Sequence, residues 1–226
     1  MILRQVKVKY DKREVVRDFS FSFLKPVTLL LGANGSGKSS LLKAIAAIQH
    51  YEGSILIQGK ELSDLKLIDR AKLIAYLPQS NPITFPIQVF EYIMQARFPY
   101  SGSFNYSKKD ISRVDEVMVE LDLTNFRSKY LSELSGGEVQ RVQIAKMLAQ
   151  DTAYLLFDEP FRNLDPYAVN SLLKLIGKLS KSDKKVIIAT HRPELLPETT
   201  FIGLKNGHIV ASDYHYTSDY AQILYE

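Results

Sequence analysis

The stretch Gly32-Ala33-Asn34-Gly35-Ser36-Gly37-Lys38-Ser39 follows a continuous apolar run, Val27 to Leu31, and precedes Leu41, Leu42, Ile45 and Ile48 at helical spacing. A buried strand that runs into a glycine-rich loop and out into a helix is the setting in which G-x-x-x-x-G-K-[ST] holds a nucleoside phosphate. Each fixed place in it has a mechanical reason. Gly32, Gly35 and Gly37 let the backbone wrap closely round phosphate oxygens with its N–H groups turned inward, together with those of Asn34 and Ser36. Lys38 brings a point charge to the outer phosphates, and the Ser39 hydroxyl is a Mg²⁺ ligand. The helix that starts here, Ser40 included, aims its N-terminal N–H groups at the anion.

Further along, Ala153-Tyr154-Leu155-Leu156-Phe157-Asp158-Glu159-Pro160 is an apolar strand that ends in two acids. In a parallel sheet the strand C-termini gather on one edge, where the glycine-rich loop also lies. Asp158 is placed there to hold Mg²⁺, directly or through water. Glu159 is the candidate general base for an attacking water.

A third element is Leu134-Ser135-Gly136-Gly137-Glu138, ahead of a helix with Val139, Val142, Ala145 and Leu148 on one face. Physically it is a second helix N-terminus stripped of side chains, with a hydroxyl ready to donate; a plain N-cap serine followed by flexible glycines reads the same way. Two such helix ends beside one set of carboxylates suggest a composite site, one end supplied by a partner chain.

With Val139-Gln140-Arg141 after it, that pentapeptide resembles the signature of the ABC ATPases. The family's other landmarks follow in order. Gln79 in Leu77-Pro78-Gln79 is similar to the glutamine loop, Asn163-Leu164-Asp165-Pro166 to the D-loop, and Thr190-His191 to the switch histidine. Tyr10 stands where the family places an aromatic that stacks on adenine. The resemblance implies an α/β P-loop NTPase with a RecA-like core, an N-terminal antiparallel β subdomain and an inserted α-helical subdomain. It implies that Gln79 contacts Mg²⁺ or water and relays nucleotide state, and that His191 bonds the γ-phosphate and holds the attacking water. Ser135, Gly136 and Gly137 then cap the γ-phosphate of an opposite copy, with Asp165 bracing the interface. Two departures stand out: Phe161-Arg162 occupy places where the family commonly has small hydroxyl residues, and Leu24-Lys25-Pro26 is short and lacks a customary glycine.

The chain's 226 residues, 46% hydrophobic and 24% charged, suit one ATPase domain over 1–226. Residues 1–81 and 135–226 are expected to form the β subdomain and core, and 82–134, with its prolines and aromatics, a helical lobe. Val6, Val8 and Tyr10, and Phe19, Phe21 and Phe23, alternate as half-buried strands, and Asn206-Gly207 marks a hairpin. Strands alternating with helices favour a largely parallel central sheet. The net charge of +4 reads as a solvated surface, not a nucleic-acid footprint. The absence of cysteine excludes disulfides and thiolate metal sites. No apolar run approaches the roughly 18 residues needed to span a bilayer, so a membrane role requires another chain.

Within the family, Gln95-Ala96-Arg97-Phe98-Pro99-Tyr100, Gly102, Phe104 and Ser107-Lys108-Lys109-Asp110 resemble importers of iron-siderophores, haem and vitamin B12, as does the stretch Ala71 to Gln79. The expectation is therefore an ATP- and Mg²⁺-dependent import ATPase on the cytoplasmic face of a membrane. It would form a homodimer closed round ATP, bound to transmembrane permease subunits and, through them, to a substrate-binding protein. A soluble ABC ATPase of iron–sulfur cluster assembly is the alternative.

Overall fold

The computed structural model of the chain describes residues 1–79, 86–101, 105–162, 164–217 and 219–225. Asn163, Gly102, Phe104 and the expected boundary at Pro82 lie outside them.

The chain opens with an antiparallel pair, β1 (Ile2–Tyr10) and β2 (Arg13–Ser22), then β3 (Val27–Leu31) and α1 (Lys38–Ile45). A second antiparallel piece, β4 (Glu52–Ile57) and β5 (Lys60–Glu61), leads to α2 (Leu67–Leu73) and β6 (Ile74–Leu77). Three helices follow: α3 (Val89–Met94), α4 (Phe98–Ser101) and α5 (Lys108–Glu120). The remainder alternates: α6 (Gly136–Ala149), β7 (Tyr154–Asp158), α7 (Pro166–Leu179), β8 (Lys185–Ala189), β9 (Thr200–Lys205), β10 (His208–Asp213) and α8 (Asp219–Tyr225).

Two sheets result. One is antiparallel in the order β2-β1-β4-β5; the other runs β10-β9-β3-β8-β7-β6 and is parallel except for β10. This is the α/β P-loop NTPase architecture, with an N-terminal antiparallel subdomain and an inserted helical one.

The parallel strands are largely apolar because both faces of their sheet are covered. Their alternation divides two cores. Leu29, Leu31, Leu155, Phe157, Val186 and Ile188 face the core shared with α3, α5, α6 and α7. Leu30, Leu156, Ile187 and Ala189 face a second core, with α1 and the antiparallel sheet. A one-residue slip in any of these strands would exchange the two sets. At the edge, Asn206 and Gly207 both have positive φ, 52° and 82°, as a two-residue type I′ hairpin requires.

Two expectations need adjusting. The α1 helix stops at Ile45, and Ile48, placed on its apolar face by spacing, is 65% exposed. The capped Ala46 and the left-handed Ala47 (φ 56°) end the helix before that turn is reached. In β1, Val6 and Val8 are buried while Tyr10 is 41% exposed, because it lies at the strand's end, beside the turn into Arg13. The α6 helix packs on α3 and α5 as well as on β6. Among the described residues no helix is long and apolar enough to cross a membrane.

Candidate nucleotide site

The loop between β3 and α1 is shaped by what it lacks. A Cβ on Gly32 would lie 2.2 Å from the Leu204 carbonyl oxygen, and one on Gly37 2.5 Å from that of Val15. Gly37, at φ 108°, is the N-cap of α1 and offers no side-chain cap, so the first N–H groups of the helix stay free for an anion. The Ser36 hydroxyl is buried and has no hydrogen-bond partner, and the Gly207 N–H fixes the Ser36 carbonyl from outside at 3.1 Å. An orphaned buried donor beside free helix N–H groups fits a phosphate oxygen.

Lys38, 6% exposed, curls back over this loop and donates to the Gly32 and Ala33 carbonyls at 2.7 and 3.1 Å. Burial pulls its ammonium below the ordinary lysine value, opposed by the carboxylates of Glu159 and Asp158. The nearest, Glu159 Oε1, lies 4.0 Å away.

β7 delivers both acids. Asp158, 2% exposed, accepts from Ser39 Oγ on Oδ1 at 2.9 Å and from the Tyr76 hydroxyl on Oδ2 at 3.0 Å. Burial first, and then Asp158, raises the Tyr76 phenol well above its usual value, so it stays protonated and donates. Glu159 sits at φ 51°, its N–H bonded to the Ala189 carbonyl at 2.9 Å at the end of β8. Leaving the strand this way aims its side chain at the loop. Its Oε2 lies 2.8 Å from Nδ1 of His191, which is half exposed.

A cavity of about 540 Å³ joins these parts. It is lined by the whole of 34–40, by Gln79, Glu159 and His191, and by Arg13, Val15 and Arg162. Tyr10 is not among the residues that line it; β2 presents Arg13 and Val15 there instead.

Ser39 and Asp158 give two hard oxygen donors already in contact, with Gln79 at the same cavity. Among the described residues no group of three or more His, Asp or Glu is placed to hold a metal by itself. Such a donor set fits Mg²⁺, which is usually held by one or two protein oxygens and shares the substrate's phosphates.

The N-terminus of α6 lies apart from this cavity. Ser135 caps it, its hydroxyl and N–H both 2.7 Å from the Glu138 carboxylate, in a capping box. Among the described residues nothing lies within 4 Å of where a Cβ on Gly136 or Gly137 would stand, so no contact there demands glycine. Gly136 lines a second cavity, of about 310 Å³, which shares Gln79, Glu159 and Arg162 with the first. Asp165 caps α7 by accepting from the Ala168 N–H at 3.0 Å.

Sequence reasoning missed Tyr76, Arg13 and Val15 as parts of this site. Tyr76 acts only because β6 pairs beside β7, setting Leu77 against Phe157, and nothing local announces that pairing. Arg162 was visible only as a departure from pattern.

Residues 16–162 match the family described as ABC transporter. The petrobactin import ATP-binding protein YclP of Bacillus subtilis (strain 168) is 32% identical, over 92% of this chain and 84% of its own length. The manganese transport system ATP-binding protein MntB of Halalkalibacterium halodurans is also 32% identical, over 82% and 74%. An ATP-binding cassette solved as a dimer in a post-hydrolysis state, with ADP and Pi, superposes with a TM-score of 0.83 at 26% identity, covering 96% of this chain and 99% of that one. A match over more than half the chain, and relatives of this identity along most of their length, settle the family: the chain belongs to the ABC transporters as an ATP-binding subunit, a transport-type ATPase that hydrolyses ATP.

Proposed function

We propose that two copies of this chain enclose two ATP molecules, each between the 32–39 loop of one copy and the Ser135-Gly136-Gly137 helix end of the other. Closing and opening of that dimer would power import through separate permease subunits. The observation that supports the composite site is the open, side-chain-free start of α6 at Gly136 and Gly137, which serves no packing need in its own chain.

In this reading the loop N–H groups, the orphaned Ser36 hydroxyl and Lys38 bind the β- and γ-phosphates, and Ser40 adds to the helix end. Tyr10, paired across the hairpin with Arg13, is the aromatic assigned to the adenine. Ser39, Asp158 and Gln79 would hold Mg²⁺, which when bound neutralises charge on the β- and γ-phosphate oxygens. Glu159 takes the proton of the attacking water. His191, bonded to Glu159 Oε2, fixes that carboxylate's direction and faces the γ-phosphate position. Cleavage of the Pβ–O–Pγ bridge leaves ADP and inorganic phosphate and removes what joined the copies.

The iron-siderophore, haem or cobalamin cargo is carried over from the resemblance; the petrobactin import relative favours import, and the manganese relative makes a bare metal ion the competing cargo. The 95–110 stretch gives this no separate weight, since Arg97 there is buried and paired with Asp110 at 2.9 Å, which is packing.

The test is Glu159→Gln in the purified chain. ATP and Mg²⁺ should convert it to a dimer by light scattering, with turnover lowered about 10²- to 10⁴-fold. Full turnover would remove Glu159 from the base role, and a chain that stays monomeric with ATP would remove the composite site. Purification from native membranes should bring a permease and a binding protein with it; a chain recovered wholly outside the membrane fraction would refute the transport partners.

A further inference from the structure

We propose that Arg162 is a substrate-contacting residue of this ATPase, its guanidinium binding the terminal phosphoryl group of ATP held in the same chain. The inference rests on the 34–40 cavity as the ATP site and deepens it. Arg162 lines that cavity, and it also lines the one under the α6 N-terminus. Only Gln79 and Glu159 share that position, and both already belong to the site.

Its backbone is fixed to the reaction centre. The Arg162 N–H donates to the Glu159 carbonyl at 3.2 Å, and Phe161 before it is 2% exposed, an anchor in the core shared by α6 and α7. The turn therefore cannot drift from Glu159, while the arginine side chain itself is exposed. Among the described residues it has no acidic partner within ion-pair distance.

Charge in the cavity gives it a task. Arg13 and Lys38 are the other cations lining the cavity, and Lys38 already faces the carboxylates of Glu159 and Asp158. A nucleoside triphosphate brings about four negative charges to that place, most of them on the outer phosphates. A planar guanidinium with no acidic partner among the described residues, in a lining it shares with Glu159, supplies paired donors for two phosphoryl oxygens. Because it lines both cavities together with Gln79 and Glu159, the proposal sets it against the terminal group.

The experiment is calorimetric titration of the full chain, with Mg²⁺, by ADP and by a non-hydrolysable ATP analogue with an imido β–γ bridge. Arg162→Ala should weaken the analogue about 10- to 100-fold, the size of a lost charge-assisted contact, and leave ADP within about twofold. Arg162→Lys should recover part of the loss, since it restores the charge without the fork. Unchanged analogue binding beside intact ADP binding would overturn the assignment and leave the ATP site standing. Equal weakening of both ligands would place Arg162 away from the terminal group. A loss seen only at protein concentrations that give dimers would move the contact to the partner copy and overturn the same-chain assignment.

Discussion

Replacing Tyr76 by Phe removes one oxygen and keeps the ring, which isolates the hydroxyl that Asp158 Oδ2 accepts from at 3.0 Å. Asp158 is 2% exposed, and its other oxygen is already engaged by Ser39, so the lost bond is not replaced by water at no cost. A hydrogen bond to a charged group contributes about 1.5–3 kcal/mol, and leaving a buried carboxylate oxygen unsatisfied falls in the same range. At about 2–4 °C per kcal/mol for a chain of this size, the variant should melt about 3–12 °C lower by calorimetry without nucleotide. The second effect is on the metal. Tyr76 restrains Asp158, which with Ser39 would hold Mg²⁺, and loss of such outer support typically costs 10- to 100-fold in metal affinity. The Mg²⁺ midpoint of ATPase activity should therefore shift upward by about tenfold or more. A variant with unchanged melting and an unchanged Mg²⁺ midpoint would show that the hydroxyl neither stabilises nor directs Asp158.

Three other outcomes follow from the geometry. Gly136→Leu meets open space and a φ that any residue adopts, so melting should hold within about 1 kcal/mol of the wild type; ATP-dependent dimerisation should nevertheless be lost, and a normal dimer by light scattering would contradict the composite site. Gly37→Ala drives a Cβ to 2.5 Å from the Val15 carbonyl at φ 108° and should abolish ATP binding in titration calorimetry, whereas Gly35→Ala meets nothing within 4 Å and should cost only about 1–2 kcal/mol of left-handed strain; equal behaviour of the two would refute the steric account. Burial pulls the Lys146 ammonium down to about 8, while Gln95 Oε1 at 2.7 Å and the Tyr92 ring at 3.9 Å keep it in place. The unfolded chain holds this proton up to the ordinary lysine value. Wild-type stability relative to Lys146→Met should therefore be lowest below pH 8, rise through the window up to about 10.5, and level off above it. A difference in urea midpoints that stays flat across that window would contradict it.

Much of the fold was legible because the buried parallel strands carry their own mark. Val27–Leu31, Tyr154–Asp158 and Lys185–Ala189 are apolar on both faces, and a strand covered on both sides cannot look otherwise. The hairpin was legible because Asn206-Gly207 meets a φ requirement that few residue pairs meet. Lys38, Ser39, Asp158 and Glu159 were singled out because phosphate chemistry fixes both residue type and spacing, and His191 and Gln79 through the family resemblance. The structure brings all but Gln79 into hydrogen-bond or ion-pair contact, and Gln79 to the same cavity. What escaped depended on lateral order. Which strand lies beside β7 decides whether Tyr76 reaches Asp158, and that order is set by packing across the sheet, not by any local pattern. Ile48 misled for the opposite reason: its spacing was right, but the backbone turned at Ala47 before the face could continue. Ser135 kept both of its readings, since it caps α6 while the glycines after it stay open.

The hairpin turn at Gly207 has a consequence for how the protein is made. The 32–39 loop is synthesised early, yet the Ser36 carbonyl is held by the Gly207 N–H, and Gly32 fits beneath the Leu204 carbonyl, both supplied by strands translated far later. A ribosome-bound chain that has emerged only as far as β8 carries the entire glycine-rich loop without the wall that sets its curvature. If those two contacts are needed to hold the loop's curvature, ATP capture on the ribosome would wait until β9 and β10 have docked. Release of the nascent chain before that point would yield a loop with the right residues and no grip.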